Sequence, residues 1–284
     1  MKIGIIGSSG FIGNNLYLFL KDKTNHKIIK FSSYSKFKQK WSNKVLNEIK
    51  KKKPEIIINC SANQNLFSNK ENLINLINTN ISSNILFLDQ AIKNKNFKSY
   101  ISFGTKWELG DTRINRPLNF YAATKNANES FYRFYANKKS SIISLKVFDT
   151  YGQNDNRKKF LNDLLKSYKK NSVLNITAGK QYLDYVHIND LCLLIVKIIK
   201  DIKSKKLSGF KSYTVSSRKP IRLINLIKIL NKRLIKKLNI KIGKRKYRMN
   251  ESLNLTNKIF NYPGWRASHN LIIELQKLFD KKVK

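Results

Sequence analysis

The sequence predicts an α/β chain: a doubly wound parallel sheet followed by a small C-terminal α/β lobe. Three observations lead there. Apolar runs alternate with helical patterns through the first half, a glycine-rich turn joins the first run to the first helix, and 284 residues are enough to bury a full core. Lys2 to Ile6 reads as the opening strand and Phe11 to Leu20 as the first helix. His26 to Phe31 is a second strand, Lys38 to Lys51 a polar helix, and Glu55 to Asn59 a third strand after Pro54. Leu73 to Ile92 has the apolar spacing of one long helix. Tyr100 to Phe103 is a fourth strand, Phe120 to Tyr135 a helix, and Ile142 to Val147 a fifth strand. Repeated strand–helix units imply right-handed crossovers with helices on both faces. After Tyr151-Gly152 the rhythm loosens. Helices are expected at Phe160 to Tyr168, Ile188 to Ile199, Ile221 to Leu234 and Leu271 to Phe279, with short strands near Val173 to Thr177 and Ser212 to Val215. The expected division is residues 1–152 for the sheet domain and 153–284 for the lobe, with segments of the latter returning to the sheet.

The charge is far from balanced: 57 basic and 17 acidic residues give +40. A nucleic-acid surface calls for clustered basic side chains, aromatics among them, and Arg for bidentate contacts. Here 47 Lys stand against 10 Arg, spread over nearly every polar face, which argues against nucleic acid as the partner. The positive field still favours anionic substrates such as nucleotide diphosphates. No window approaches about 18 consecutive apolar residues, so no membrane span is expected. Ile3 to Ile6 is too short for a signal-peptide core. Cys60 and Cys192 are too few and too isolated for a disulfide framework or a metal site. The expected compartment is the cytoplasm.

Gly7, Gly10 and Gly13 have GxxGxxG spacing between a strand and a helix, the context that gives such a motif meaning. The first glycine permits the tight turn, the second lets backbone approach a pyrophosphate, and the third lets helix pack on strand. The helix beginning at Phe11 and Ile12 then offers N–H groups and a partial positive charge to the phosphates. This predicts a Rossmann dinucleotide site. An acid at the end of the second strand would bind the ribose hydroxyls of NAD. That end reads Phe31-Ser32-Ser33-Tyr34-Ser35-Lys36, with no carboxylate. Ser32, Ser33 and Lys36, with Lys38, could accept a 2′-phosphate, which leans toward NADP and leaves NAD as the alternative.

Tyr121 and Lys125 are four apart, on one face of a helix. A free tyrosine titrates too high to act as a base at neutral pH, and a nearby ammonium together with the positive nicotinamide ring is expected to lower it. Lys125 could also bond the cofactor ribose. Thr105 follows the fourth strand, so its hydroxyl could reach the same substrate oxygen as Tyr121. The set points to proton exchange at a sugar or alcohol oxygen while a nicotinamide exchanges hydride with the attached carbon.

Together these residues resemble the extended short-chain dehydrogenase/reductase family, in its nucleotide-sugar epimerase/dehydratase branch. Gly7-Ser8-Ser9-Gly10-Phe11-Ile12-Gly13 looks like the branch's GxxGFIG, and Asn59-Cys60-Ser61-Ala62 occupies the place of its strand ending His-Leu-Ala-Ala. Leu145 to Gly152 is similar to its segment ending Tyr-Gly, Asp184-Tyr185-Val186-His187-Ile188-Asn189-Asp190-Leu191 to its Asp-Tyr-Val-His signature, and Pro263-Gly264-Trp265 to its late Pro-Gly-Trp. The resemblance implies that Thr105, Tyr121 and Lys125 are catalytic and that Ala62 joins the cofactor site. Phe148, Asp149 and the loop through Arg157 would line the sugar-nucleotide site, and Arg248 would face the diphosphate. His187 and Asp190 would tie the C-terminal lobe to the sheet. It also implies a homodimer through two helices and a role in surface polysaccharide synthesis.

The departures select the reaction. The branch's 4,6-dehydratases carry Asp-Glu directly after the catalytic Thr, and here Lys106 and Trp107 stand there. Neither can perform the acid–base work of water elimination. The Gly-Thr-x-Trp stretch is similar instead to the CDP-abequose and CDP-paratose synthase subgroup, which reduces a 4-keto-6-deoxy sugar. Lys106 and Trp107 become candidate substrate contacts, Trp107 against the sugar or alternatively in the core. The expected activity is a 4-ketoreductase. A nucleotide-sugar 4-epimerase and a catalytically silent dinucleotide-binding sensor or scaffold are the alternatives.

Overall fold

The structure, a computed structural model, describes residues 1–33, 40–64, 69–112, 115–136, 140–247 and 251–280. Lys36 and Arg248 lie outside the described residues. Strand β1 (Lys2–Ile6) leads through the glycine turn to α1 (Phe11–Lys23), then β2 (Lys27–Lys30), α2 (Trp41–Lys52) and β3 (Ile56–Asn59). There follow α3 (Lys70–Ile77), a π-helical turn (Asn78–Ser82), α4 (Ser83–Ile92), β4 (Ser99–Thr105), a 3-10 turn (Lys106–Leu109), α5 (Phe120–Tyr135) and β5 (Ser141–Val147). The second half holds β6 (Asp149–Tyr151), α6 (Phe160–Lys170), β7 (Leu174–Asn175), β8 (Tyr182–Leu183), β9 (Tyr185–His187), α7 (Ile188–Lys203) and β10 (Gly209–Val215). It closes with β11 (Ile221–Arg222), α8 (Leu223–Arg233), β12 (Ile240–Lys241) and α9 (Leu271–Asp280).

Six strands form one parallel sheet in the order β10-β5-β4-β3-β1-β2. This is the doubly wound Rossmann arrangement the sequence predicts. Its inner strands are apolar on both faces, as a covered parallel sheet requires: Ile56, Ile57 and Ile58 of β3 are fully buried. Leu16 and Leu20 of α1, and Leu191, Leu194, Ile195 and Ile198 of α7, cover one face. Trp41, Val45 and Ile49 of α2, Phe87 and Leu88 of α4, and Tyr132 of α5 cover the other. A second apolar cluster lies beyond the sheet, where Leu164 and Tyr168 of α6, Leu226 and Leu230 of α8 and Phe279 of α9 meet. Among the described residues no helix is long and apolar enough to cross a membrane.

The second half adds short strands that the sequence does not announce, β6, β8, β9, β11 and β12. Strand β11 takes the first two residues of the helix expected at Ile221 to Leu234. Two further differences bear on the sheet and the site. The short strand expected at Ser212 to Val215 is the full edge strand β10, paired with β5 from Gly209↔Ser141 to Val215↔Val147. The long helix expected over Leu73 to Ile92 is broken by the π turn. The turn serves Asn80, a buried amide that bonds both backbone groups of Asn63 (2.9 Å each) and donates to Thr124 Oγ1 (3.1 Å). From there a buried network runs under α5. Asn128 Nδ2 donates to Asn80 O (2.9 Å), Asn84 Nδ2 to Asn128 Oδ1 (2.9 Å), and both Asn59 Nδ2 (2.7 Å) and the Tyr100 hydroxyl (2.6 Å) to Asn84 Oδ1.

The C-terminal segment is fastened to α7 through Asp190. Its carboxylate accepts from Ser268 Oγ (2.7 Å) and His269 N (3.1 Å) and meets His269 Nδ1 (2.8 Å), while its carbonyl accepts from Trp265 Nε1 (3.1 Å). His187 caps α7, accepting from Asn189 N, and its ring stacks on His269 at 4.2 Å. Burial, then the neighbouring His269, push the His187 imidazole down to about 4, so His187 is neutral at physiological pH.

Candidate active site

Strand order reverses at β1: the chain passes from β1 outward to β2 and returns to place β3 on the other side. Ligands of doubly wound sheets sit at such a switch point, beyond the carboxyl ends of the strands. The loops after β1 and β3 face each other there, since a Cβ on Gly7 would lie 2.7 Å from Ser61 N. Gly13 is the tightest point of the turn. A Cβ there would overlap the Gly7 carbonyl oxygen and lie 2.8 Å from the carbonyl carbon. Gly10 caps α1, and its N–H donates to Gly7 O at 3.1 Å. Helix α1 therefore starts directly against β1, with Phe11 and Ile12 in its first turn, so the residues present fit a dinucleotide pyrophosphate at this end.

At the end of β2 the structure adds a residue that the local sequence does not reveal. Glu48 reaches over from α2 and accepts from Ser32 N (2.9 Å), while Trp41 Nε1 donates to Ser32 O (2.7 Å). Lys52 lies 3.1 Å from Glu48, and against the effect of burial these bonds hold the carboxyl below its usual range. The strand end thus has a carboxylate beside Ser32, supplied from 16 residues away.

A cleft of about 590 Å³ runs from Ile12 past Thr105 and Tyr121 toward α6 and α8. Thr105 is the last residue of β4 and caps the 3-10 turn, its Oγ1 accepting from Trp107 N at 3.4 Å. Trp107 packs edge-on against the Tyr121 ring, centroids 6.4 Å apart, and both line the cleft. Tyr121 lies in the first turn of α5, whose start is fixed by Asn119 accepting from Ala122 N (2.8 Å). One turn on, Lys125 Nζ reaches Ser61 O at 3.4 Å and so ties α5 to the β3 loop that carries Ala62.

In the protein without cofactor, burial governs the titration of this pair. Burial, then the Glu108 carboxylate, push the Tyr121 phenol well above its ordinary range, while a hydrogen bond with Gln64 pulls the other way. Burial pushes Lys125 down to about 8. In the protein by itself Tyr121 is a neutral phenol, because low-dielectric surroundings penalise the phenolate more than neighbouring charges favour it.

The substrate-side candidates converge on the same cleft. Lys106 is locked to Asp149 (2.5 Å), and against the effect of burial this pairing holds the Asp149 carboxyl low. Phe148, buried, lines the cleft beside them. Arg157 is held by Asp155 (2.6 and 2.7 Å) and Thr150 O (2.8 Å), and its guanidinium lies over the Phe11 ring at 4.2 Å. Lys159, which does not stand out in sequence among so many lysines, lines the cleft with its ammonium 5.8 Å from the centre of the Trp107 ring.

Comparisons with known proteins place the fold and the family. The CDP-abequose synthase of Yersinia pseudotuberculosis is 23% identical over 263 residues, covering 88% of this chain and 90% of that protein. The structure of MoeE5 in complex with UDP-glucose and NAD superposes with a TM-score of 0.81 at 14% identity, covering 99% of this chain and 98% of the other. RMD from Pseudomonas aeruginosa, complexed with NADPH, superposes with a TM-score of 0.77 at 14% identity, covering 100% of both chains. The family model of the NAD-dependent epimerase/dehydratase family matches residues 3–210. The chain belongs to that family, and it is an NAD(P)-dependent enzyme of the short-chain dehydrogenase type.

Proposed function

We propose that this enzyme reduces the 4-keto group of a nucleotide-activated 6-deoxyhexose. The observation that carries the reading is a proton donor without an elimination pair. Tyr121 is held as a phenol on the cleft wall, while the two residues after Thr105 are a lysine locked to Asp149 and a tryptophan packed on Tyr121. When bound, the nicotinamide supplies hydride chemistry. The Tyr121 hydroxyl gives its proton to the developing alkoxide, Thr105 Oγ1 hydrogen-bonds the same oxygen, and Lys125 holds the ribose side of the cofactor and supports the phenolate left behind. Trp107, Phe148, Arg157 and Asp149 with its partner Lys106 shape the sugar side, and residues 153–284 supply most of the nucleotide end. The similarity to a CDP-abequose synthase favours a CDP-linked substrate.

Purified protein mixed with NADPH or NADH and a panel of CDP-, dTDP- and UDP-linked 4-keto-6-deoxy sugars is expected to oxidise the reduced cofactor steadily with one donor. No oxidation with any of them sinks the ketoreductase reading. A 4-epimerase is the second reading, and Glu48 favours it. A carboxylate at the end of β2 suits the ribose hydroxyls of NAD, the cofactor an epimerase would retain and not consume, and so it also weakens the case for NADP made from Ser32 and Ser33. Either reading implies the cytoplasm, where nicotinamide cofactors are available.

We also propose a homodimer through α4 and α5, supported by apolar side chains exposed on these helices: Leu86 on α4, and Phe131 and Phe134 on α5. Phe134→Glu is expected to convert a dimer to monomer in sedimentation velocity, and a monomeric wild type removes the proposal.

A further inference from the structure

Thr105 and Tyr121 occupy the middle of the cleft, and Ile12 marks its cofactor end. The opposite end is walled by Leu174, Ile176 and Leu223, which belong to the apolar cluster of the C-terminal lobe. Such a wall suits the faces of a flat ring. Thr177, Gln181 and Glu251 interrupt it. Thr177 and Gln181 are only 7% and 8% exposed, so their polar atoms are placed and not merely solvated. Thr177 Oγ1 lies 3.2 Å from the Gln181 amide and accepts from Gly179 N at 3.3 Å. Gln181 Nε2 in turn donates to Glu251 Oε1 at 3.5 Å. The next two residues are also fastened: Ser252 Oγ donates to Asp111 (2.7 Å), and Leu253 O accepts from Tyr182 N (3.0 Å). The Glu251 carboxylate is therefore held at the edge of an apolar wall by partners on both the sheet domain and the lobe.

A nucleotide sugar whose sugar lies against Tyr121 must send its base away from the cofactor, toward this end. A carboxylate only accepts hydrogen bonds, and with one site engaged by Gln181 it has others left. It matches the exocyclic amine of cytosine or guanine and meets the O4 carbonyl of uracil or thymine as acceptor against acceptor. We propose that Glu251 is a specificity-determining residue that selects an amino-bearing nucleobase, so that the sugar is carried on CDP or GDP rather than on UDP or dTDP. The proposal rests on the nucleotide-sugar reading and deepens it, since it assigns the choice of base to one side chain and leaves the chemistry at Tyr121 untouched.

The test is calorimetric titration of the full chain with CDP, GDP, UDP and dTDP. It involves no turnover, so its failure is separable from that of the ketoreductase reading, which the oxidation assay decides. In wild type, CDP or GDP is expected to bind roughly 10- to 100-fold more tightly than UDP and dTDP, the usual worth of a matched base contact, and the tighter of the two names the base. Glu251→Gln keeps an acceptor for Gln181 and adds an N–H donor that suits O4. It is expected to bring UDP and dTDP level with CDP and GDP or ahead of them. Wild type that binds UDP or dTDP as tightly as the amino-bearing pair, or binds none of the four, overturns the proposal, and so does a preference that survives Glu251→Gln. Should Glu251→Gln not fold, Glu251→Asp decides, since it keeps the charge and withdraws it by one methylene. Weaker binding confined to CDP and GDP supports the assignment, and an equal change for all four overturns it.

Discussion

Tyr121→Phe is expected to lower turnover by roughly 10²- to 10⁴-fold, the usual contribution of a positioned acid–base group. The substitution is close to isosteric. The ring keeps its edge-on contact with Trp107 and its burial, and what disappears is the hydroxyl with its Gln64 hydrogen bond. Losing one such bond costs about 1 kcal/mol of stability, too little to unfold a domain of this size. Cofactor binding should survive, because Gly7, Gly10 and Gly13 form the other end of the site. The measurement is turnover alongside cofactor affinity on the same preparation. Near-normal turnover in the variant would mean that another group gives the proton and that the proposed mechanism is wrong.

Gly13→Ala is expected to weaken cofactor binding strongly. The new Cβ would overlap the Gly7 carbonyl oxygen and sit 2.9 Å from Ser8 Cα. All of these are backbone atoms with no flexible end to swing away, so α1 must back off from β1 or the turn must open. Either movement displaces the helix N-terminus from the phosphate position. Overpacking of this kind costs about 1–3 kcal/mol in stability, and the fold should survive at reduced melting temperature. Calorimetric titration with NAD and NADP should show a loss of affinity of roughly tenfold or more, the equivalent of about 1.4 kcal/mol. Unchanged affinity would show that the turn does not cradle the dinucleotide.

What the sequence revealed was local, and what it concealed was brought from a distance. The glycine turn, Thr105 at a strand end and the Tyr121/Lys125 spacing are each written within a few residues, so strand, turn and helix periodicity suffice to place them. Glu48 could not be seen at the end of β2, because it sits a full turn and more into the next helix and only packing beside Trp41 brings it back to Ser32. Glu108 carries no local signal either, since nothing in Lys106 to Leu109 says that the turn is buried under Thr105. The edge strand β10 was shortened for the same reason: its partner β5 lies on the far side of α6 and α7 in the chain, and its outer face alternates too weakly to announce the full pairing from Gly209 to Val215. The π turn hides in a helical pattern that stays apolar at the right intervals on either side of it. Spacing also shows which charge stands near Tyr121 and not how deeply both groups are buried.

The amides beneath α5 have a consequence for how the proposed catalytic helix is seated. Oil-like packing tolerates small slips, because one methyl replaces another at little cost. Asn59, Asn80, Asn84 and Asn128 tolerate none, since each commits donors and acceptors to named partners away from water. Shifting the helix by a single residue would strand several of these groups at once, each at about 1–3 kcal/mol. Such a lattice adds little net stability over an apolar interface, but it works as a key in a lock: it leaves one rotation and one height for the helix, and hence one place in space for the hydroxyl of Tyr121.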